Sequence, residues 1–183
     1  GRRRYVDCAV VTNDEGERVL VERVHRASRL ILFGAGHVAK PTATLAHMLG
    51  YEVVVIDDRP DWNSEARFPD AYTRVLEPYE DVLFDFQARS DDALLIVTRG
   101  HDFDQQILEA VISLDVAYLG MIGSDTKVKK ALKKLEARGV GEAQTAHLHA
   151  PIGLAIGALT PEEIAVAIVA EIVKVKRSTE ERK

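Results

Sequence analysis

Four large apolar residues, Leu30 to Phe33, run straight into Gly34, Ala35, Gly36, His37, Val38 and Ala39, and this junction limits the available folds more than any other feature. An unbroken apolar run bounded by glycine is what a strand buried on both faces requires. Beyond the glycines, Val38, Pro41, Leu45 and Met48 fall at helical spacing, and Gly50 suits the left-handed turn that ends a helix. The unit is therefore strand, tight turn, helix. In such a unit Gly34 is expected to permit the turn, Gly36 to let backbone approach an anion, and Ala39 to let the helix pack closely on the strand. The helix start then faces the anion with unpaired N–H groups and the positive end of its dipole, so no basic side chain is required.

The same alternation continues downstream. Val53 to Ile56 reads as a second buried strand, the Pro- and Asp-bearing stretch 57–70 as a loop, and Val75 with Leu76 as a third strand. Leu94 to Thr98 is a fourth strand, followed by a helix with Phe103, Ile107, Leu108 and Val111 toward the sheet. Ala117 to Met121 is a fifth, Lys127 to Arg138 a basic amphipathic helix closed by Gly139, and His147 to Ile152 a short sixth extended piece. Thr160, Pro161 and Glu163 signal the start of a last helix with the apolar stripe Ile164, Ile168, Ile172 and Val175. Strands alternating with helices predict an α/β fold, a Rossmann-like doubly wound parallel sheet spanning residues 30–183. Tyr5 to Val11 and Arg18 to Val24, joined by turn residues Asn13 to Gly16, predict a short N-terminal β-hairpin. Residues 1–29, which open on Gly1 rather than methionine, are accordingly read as the remnant of a domain expected upstream.

In open parallel sheets ligands bind at the carboxyl ends of the strands. Three glycine-bearing loops fall there: Gly34 to Ala39; Thr98, Arg99, Gly100 and His101; and Gly120, Met121, Ile122, Gly123 and Ser124. Asp57 ends the second strand about 20 residues after the glycine turn, the place of an acid that accepts from a ribose diol. Asp58 and Arg59 accompany it, and Arg59 suits an extra phosphate if Asp57 points away. Ser124 suits a helix cap and, with Lys127, a second anion site. His147 and His149 share a strand face, but with no evident carboxylate ligand they are read as structural rather than as a metal site. Cys8 lacks an activating neighbour and reads as a small strand hydrophobe.

No nucleophile–base pair is recognisable and no tyrosine is followed four residues later by lysine, so binding is better supported than catalysis. The formal charge of −5 offers no net basic field for nucleic acid or anionic lipid. The apolar stretch Ile164 to Val175 is broken by Glu171 and too short for a ~30 Å hydrocarbon layer. With one cysteine the chain forms no internal disulfide, and a reducing, cytoplasmic compartment fits best.

Phe33 to Ala39, Asp57 to Pro60, Arg67 to Pro69, Thr98 to His101, Gly120 to Ser124, and His149 to Gly153 followed by Thr160 to Ala165 together resemble the C-terminal domain of the XdhC/CoxI family. The resemblance runs from Leu30 to about Arg177. It implies an accessory factor, a chaperone, of a molybdenum hydroxylase such as xanthine dehydrogenase. Such a factor binds molybdenum cofactor (molybdopterin), supports its sulfuration together with a cysteine desulfurase, and helps insert it into the apo-enzyme. Two positions depart from the family pattern: Asp125 stands where a basic residue is usual, which weakens a second anion site, and Ala155 stands where aspartate is common, which removes an acceptor. The residues themselves leave the ligand open, because the helix start after Gly36 suits a molybdopterin phosphate and a dinucleotide diphosphate alike. An NAD(P)-binding oxidoreductase, and a nucleotide-sensing module forming a homodimer through the hairpin or the last helix, are the alternatives.

Overall fold

The computed structural model describes residues 7–23 and 26–180. Tyr5, Val6 and Val24, expected in the hairpin strands, lie outside the described residues. Within them β1 (Asp7–Thr12) and β2 (Arg18–Arg23) form the antiparallel hairpin, with Asp7 opposite Arg23 and Thr12 opposite Arg18. Val10, Val11, Leu20 and Val21 are exposed, so the hairpin buries neither face in the body of the domain.

The remaining strands are β3 (Arg29–Phe33), β4 (Glu52–Ile56), β5 (Thr73–Val75), β6 (Ala93–Ile96), β7 (Tyr118–Met121) and β8 (Leu148–His149). They pair in parallel in the order β5-β4-β3-β6-β7-β8. The chain thus moves outward from β3 to β5, returns to β6, and moves outward again. This reversal between β3 and β6 is the topological switch point of a doubly wound sheet. The helices are α1 (Ala39–Met48), α2 (Tyr79–Phe84), α3 (His101–Val111), α4 (Asp125–Ala137), α5 (Glu142–Thr145) and α6 (Pro161–Glu180). Leu30, Leu32, Val53, Val55 and Leu95 form one core with α1 and α6, and Ile31, Phe33, Leu94, Ile96 and Leu119 form the other with α3 and α4. Burial on both faces explains why these strands are continuously apolar.

Several sequence expectations are corrected here. The stripe Val38, Pro41, Leu45 and Met48 is not the buried face of α1; Ala39, Thr42, Ala43 and Ala46 are, and Met48 is 75% exposed. Small side chains let this short helix sit close to β3, β4 and α6, an advantage that hydrophobicity alone does not register. The fourth strand ends at Ile96 rather than Thr98, the fifth begins at Tyr118, and the sixth is only Leu148–His149. The α4 helix starts at Asp125, ahead of the expected Lys127. Helices α2 and α5 escaped the sequence reading because six and four residues are too few to show a 3.6-residue period.

The capping box of α6 forms as its residues predict: Glu163 N–H donates to Thr160 Oγ1 (3.2 Å), and Thr160 N–H to Glu163 Oε2 (3.0 Å). Thr160→Ala should cost about 1 kcal/mol, measurable by urea unfolding. A larger loss is expected at Asn63, which no sequence signal marked. Its side chain is 1% exposed, and its amide lies within bonding distance of the carbonyls of Val55 (3.2 Å), Asp57 (3.3 Å) and Val75 (2.9 Å), joining the ends of β4 and β5. Asn63→Ala leaves buried acceptors without a donor and should destabilise by about 2 kcal/mol, with the urea midpoint falling and the slope unchanged.

Candidate functional site

The glycine turn sits at the switch point and touches both flanking loops. Gly34 has φ +116°, donates from its N–H to Ile56 O (2.8 Å), and lies so close to the end of β6 that an added Cβ would stand 2.5 Å from Val97 O. Glycine is required there twice over, by conformation and by contact. Gly36 differs: a Cβ placed on it would meet nothing nearer than Val97 O at 4.0 Å. The turn is therefore packed at Gly34 and open at Gly36. His37 is exposed, Val38 half-buried, and Ala39 fully buried at the start of α1, where Lys40 N–H donates to Gly36 O (3.4 Å), Thr42 N–H donates to Val38 O (3.2 Å) and Pro41 carries no donor.

Ala35 is fixed from both sides. Its N–H donates to Asp57 Oδ2 (2.9 Å), and its carbonyl accepts from Arg67 Nη2 (3.3 Å). Asp57 is 1% exposed and also accepts from Arg59 N (3.1 Å), Nε (2.8 Å) and Nη2 (2.7 Å). Burial pushes the Asp57 carboxyl up, but the Arg59 guanidinium and the N–H groups of Ala35 and Arg59 outweigh it and hold the group below the usual carboxylate range. Both oxygens are thus already engaged, and a ribose diol would have to displace Arg59. The 57–70 loop does more than connect: Arg59 and Arg67 each stack on Trp62, at 4.8 and 4.7 Å, and His37 meets the same indole edge-on at 5.1 Å. Trp62 was not singled out from the sequence and Arg67 appeared there only within the Arg67 to Pro69 block, yet both lie beside the glycine turn; an arginine–tryptophan–arginine spacing in the loop after an acid-terminated strand was the available signal.

The loop after β6 closes the other side. Arg99 Nη2 pairs with Asp58 Oδ2 at 3.3 Å, linking this loop to the one after β4. Thr98 Oγ1 donates to Asp104 Oδ1 (2.7 Å) and accepts from Gly100 N–H (3.2 Å), while His101 opens α3. The third loop is placed differently. Met121 is buried in β7, and the space above Gly120 is filled by the side chain of Ile152. Ser124 caps α4 by accepting from Lys127 N–H (3.3 Å), and Lys127 Nζ is ion-paired with buried Asp104. With Met121, Ser124 and Lys127 a groove of about 330 Å³ opens between α3 and α4, lined also by Gln105 and Lys130. Ile122 and Gly123 connect the two. The structure thus brings the Gly34 to Ala39, Asp57 to Arg59 and Thr98 to Gly100 groups together, with the third loop contributing packing and a helix cap.

His149 does have a carboxylate beside it, contrary to expectation: Glu171 Oε1 lies 3.6 Å from its Nδ1, and its ring stacks on Tyr118 at 4.6 Å. Tyr118 O–H and Gly153 N–H both donate to Glu171 Oε2. Among the described residues no group of three or more His, Cys, Asp or Glu is placed to hold a metal.

Comparison with known proteins agrees with this geometry. The family model for the XdhC Rossmann domain matches residues 30–172. The chain is 35% identical over 164 residues to a probable xanthine dehydrogenase subunit of Bacillus subtilis, covering 90% of this chain and 48% of that one. It is 24% identical over 153 residues to the molybdenum cofactor insertion chaperone PaoD of Escherichia coli, covering 84% and 42%. A crystal structure described as a xanthine dehydrogenase from Bacillus halodurans superposes with a TM-score of 0.77 at 34% identity, over 91% of this chain and 48% of that one. The chain spans about half the length of these relatives or less. A switch-point glycine turn in a doubly wound parallel sheet, matched by that model over most of its length, places this chain in the XdhC Rossmann-domain family.

Proposed function

We propose that the chain is the cofactor-binding domain of a molybdenum hydroxylase accessory factor, holding molybdenum cofactor by its phosphate at the Gly34 to Ala39 turn. The observation that carries this reading is the contrast within the turn: Gly34 is locked against β6 while Gly36 has open space above it, next to the first turn of α1. A phosphate-bearing group fits those residues. Ala35 is held by Asp57 and Arg67 so that the backbone around Gly36 is preset before a ligand arrives. Arg99 and Asp58 bridge the crevice, and His37 and Trp62 flank it. When bound, the cofactor supplies the molybdenum centre on which the recipient enzyme's hydroxylation depends. The role of this chain is to bind, orient and shield the cofactor.

Delivery rather than catalysis is supported by the one relative named as a molybdenum cofactor insertion chaperone. In this reading the partners are a xanthine dehydrogenase-like apo-hydroxylase and a cysteine desulfurase that sulfurates the bound cofactor, in the cytoplasm. Among the described residues no helix is long and apolar enough to cross a membrane. The NAD(P) alternative requires Asp57 to release Arg59 for a ribose. Reconstitution tests the proposal: the cofactor-loaded protein, added to apo-hydroxylase with and without a sulfur donor, should restore hydroxylase activity while turning over no hydroxylase substrate itself. No recovery, together with hydride transfer from NAD(P)H by the chain, would reverse the assignment.

A further inference from the structure

Arg59, Arg67 and Arg99 stand around the crevice and Lys127 at the mouth of the neighbouring groove, and three of these four are neutralised by the protein itself. Arg59 pairs with Asp57, Arg99 with Asp58, and Lys127 with Asp104. Arg67 is the exception: among the described residues no carboxylate pairs with it. Its Nε donates to Trp62 O (3.0 Å) and its Nη2 to Ala35 O (3.3 Å), both neutral carbonyls, and its plane lies 4.7 Å from the Trp62 ring. The same ring carries Arg59 at 4.8 Å, so two guanidinium groups share one indole and only one charge is offset. A half-buried cation held rigidly beside like charge, without a counterion, is an arrangement that a bound anion would relieve. The carbonyl it holds belongs to Ala35, the residue before open Gly36.

We propose that Arg67, oriented by Trp62, is the side chain that binds the phosphate group of the ligand and thereby sets the site's preference for phosphate esters. This rests on reading the Gly36 turn as the ligand site. The planar fork offers its remaining N–H donors in the spacing that phosphate oxygens accept, and two of its bonds are already spent on fixing the plane rather than on a competing charge. Trp62 contributes orientation: it stiffens a long side chain that would otherwise lose rotamer freedom on binding.

The test uses inorganic phosphate as the probe, with chloride at matched ionic strength as the control, and follows binding by phosphorus NMR line broadening and by thermal shift. The wild-type chain should show a saturable, phosphate-dependent response. Arg67→Met should weaken phosphate binding by about 10- to 100-fold, the loss of a charge-assisted hydrogen bond, with its circular dichroism unchanged. Trp62→Leu, which keeps the charge but frees its plane, should weaken it by roughly 3- to 10-fold. If Arg67→Met fails to fold, Arg67→Lys serves in its place and should bind several-fold more weakly. Unchanged affinity in the folded Arg67 variant, or no saturable response in the wild type, overturns the proposal. Saturable phosphate binding without any uptake of molybdenum cofactor would leave Arg67 its role and remove the molybdenum assignment instead.

Discussion

Gly34→Ala should lower the melting temperature by about 10 °C, the largest effect expected from any single methyl group in this chain. Two independent costs combine. At φ +116° an L side chain is strained by an amount of order 1–3 kcal/mol, and the new Cβ would stand 2.5 Å from Val97 O, 2.8 Å from Val97 C and 2.9 Å from Thr98 Cα. All three are backbone atoms of the segment that follows β6, so relief requires β3 and β6 to part at the switch point. The sum is about 3–4 kcal/mol, and at this chain length each kcal/mol shifts the melting temperature by roughly 2–4 °C. Gly36→Ala, by contrast, adds its methyl to open space and should change stability by less than about 1 kcal/mol. Differential scanning calorimetry of the pair checks both numbers, and equal losses would contradict the packed-and-open description of the turn.

Asp57→Asn should destabilise the fold by about 3 kcal/mol at neutral pH. The substitution leaves Arg59 without its counter-charge and sets an amide against donors that a carboxylate accepts simultaneously. The sign of the pH dependence follows from the depressed acidity of Asp57. Its stabilising contribution is complete above the ordinary carboxylate value of 3.8 and is lost as pH falls through the lower folded value. The wild type and Asp57→Asn should therefore differ by a constant amount from pH 6 to 8 and begin to converge only as the pH falls below about 4 in denaturant titrations. An acid reserved for a ribose would behave otherwise, with its replacement weakening nucleotide binding and sparing stability.

These two residues show how far the sequence could be read. Strand, glycine turn, helix and terminal acid were all legible, since each is written in neighbouring residues, and the doubly wound parallel sheet they predict is the one observed. What the acid is bonded to was not legible. Asp57 engages Arg59 two positions on and Ala35 twenty-two positions back, and only the folded backbone decides that both reach the same carboxylate. The same holds for Gly120, whose glycine marked a loop in sequence but makes room for Ile152 in the structure. The buried face of α1 was not legible for a related reason: alanines and a threonine carry little hydrophobic signal, yet close helix packing favours them. Trp62 and Arg67 lay in a stretch without periodicity, and what ties them to the glycine turn is a set of cross-loop contacts.

The central claim is that the open side of the glycine turn holds molybdenum cofactor, and titration of the purified chain with isolated cofactor tests it most directly. Pterin fluorescence and bound molybdenum should both saturate at one equivalent in the wild type. Gly36→Val, which fills the space above the turn without touching its packed side, should keep its circular dichroism spectrum and lose that binding. A folded Gly36→Val protein that takes up cofactor undiminished, or a wild type that retains NAD(P) and no molybdenum, would contradict the account.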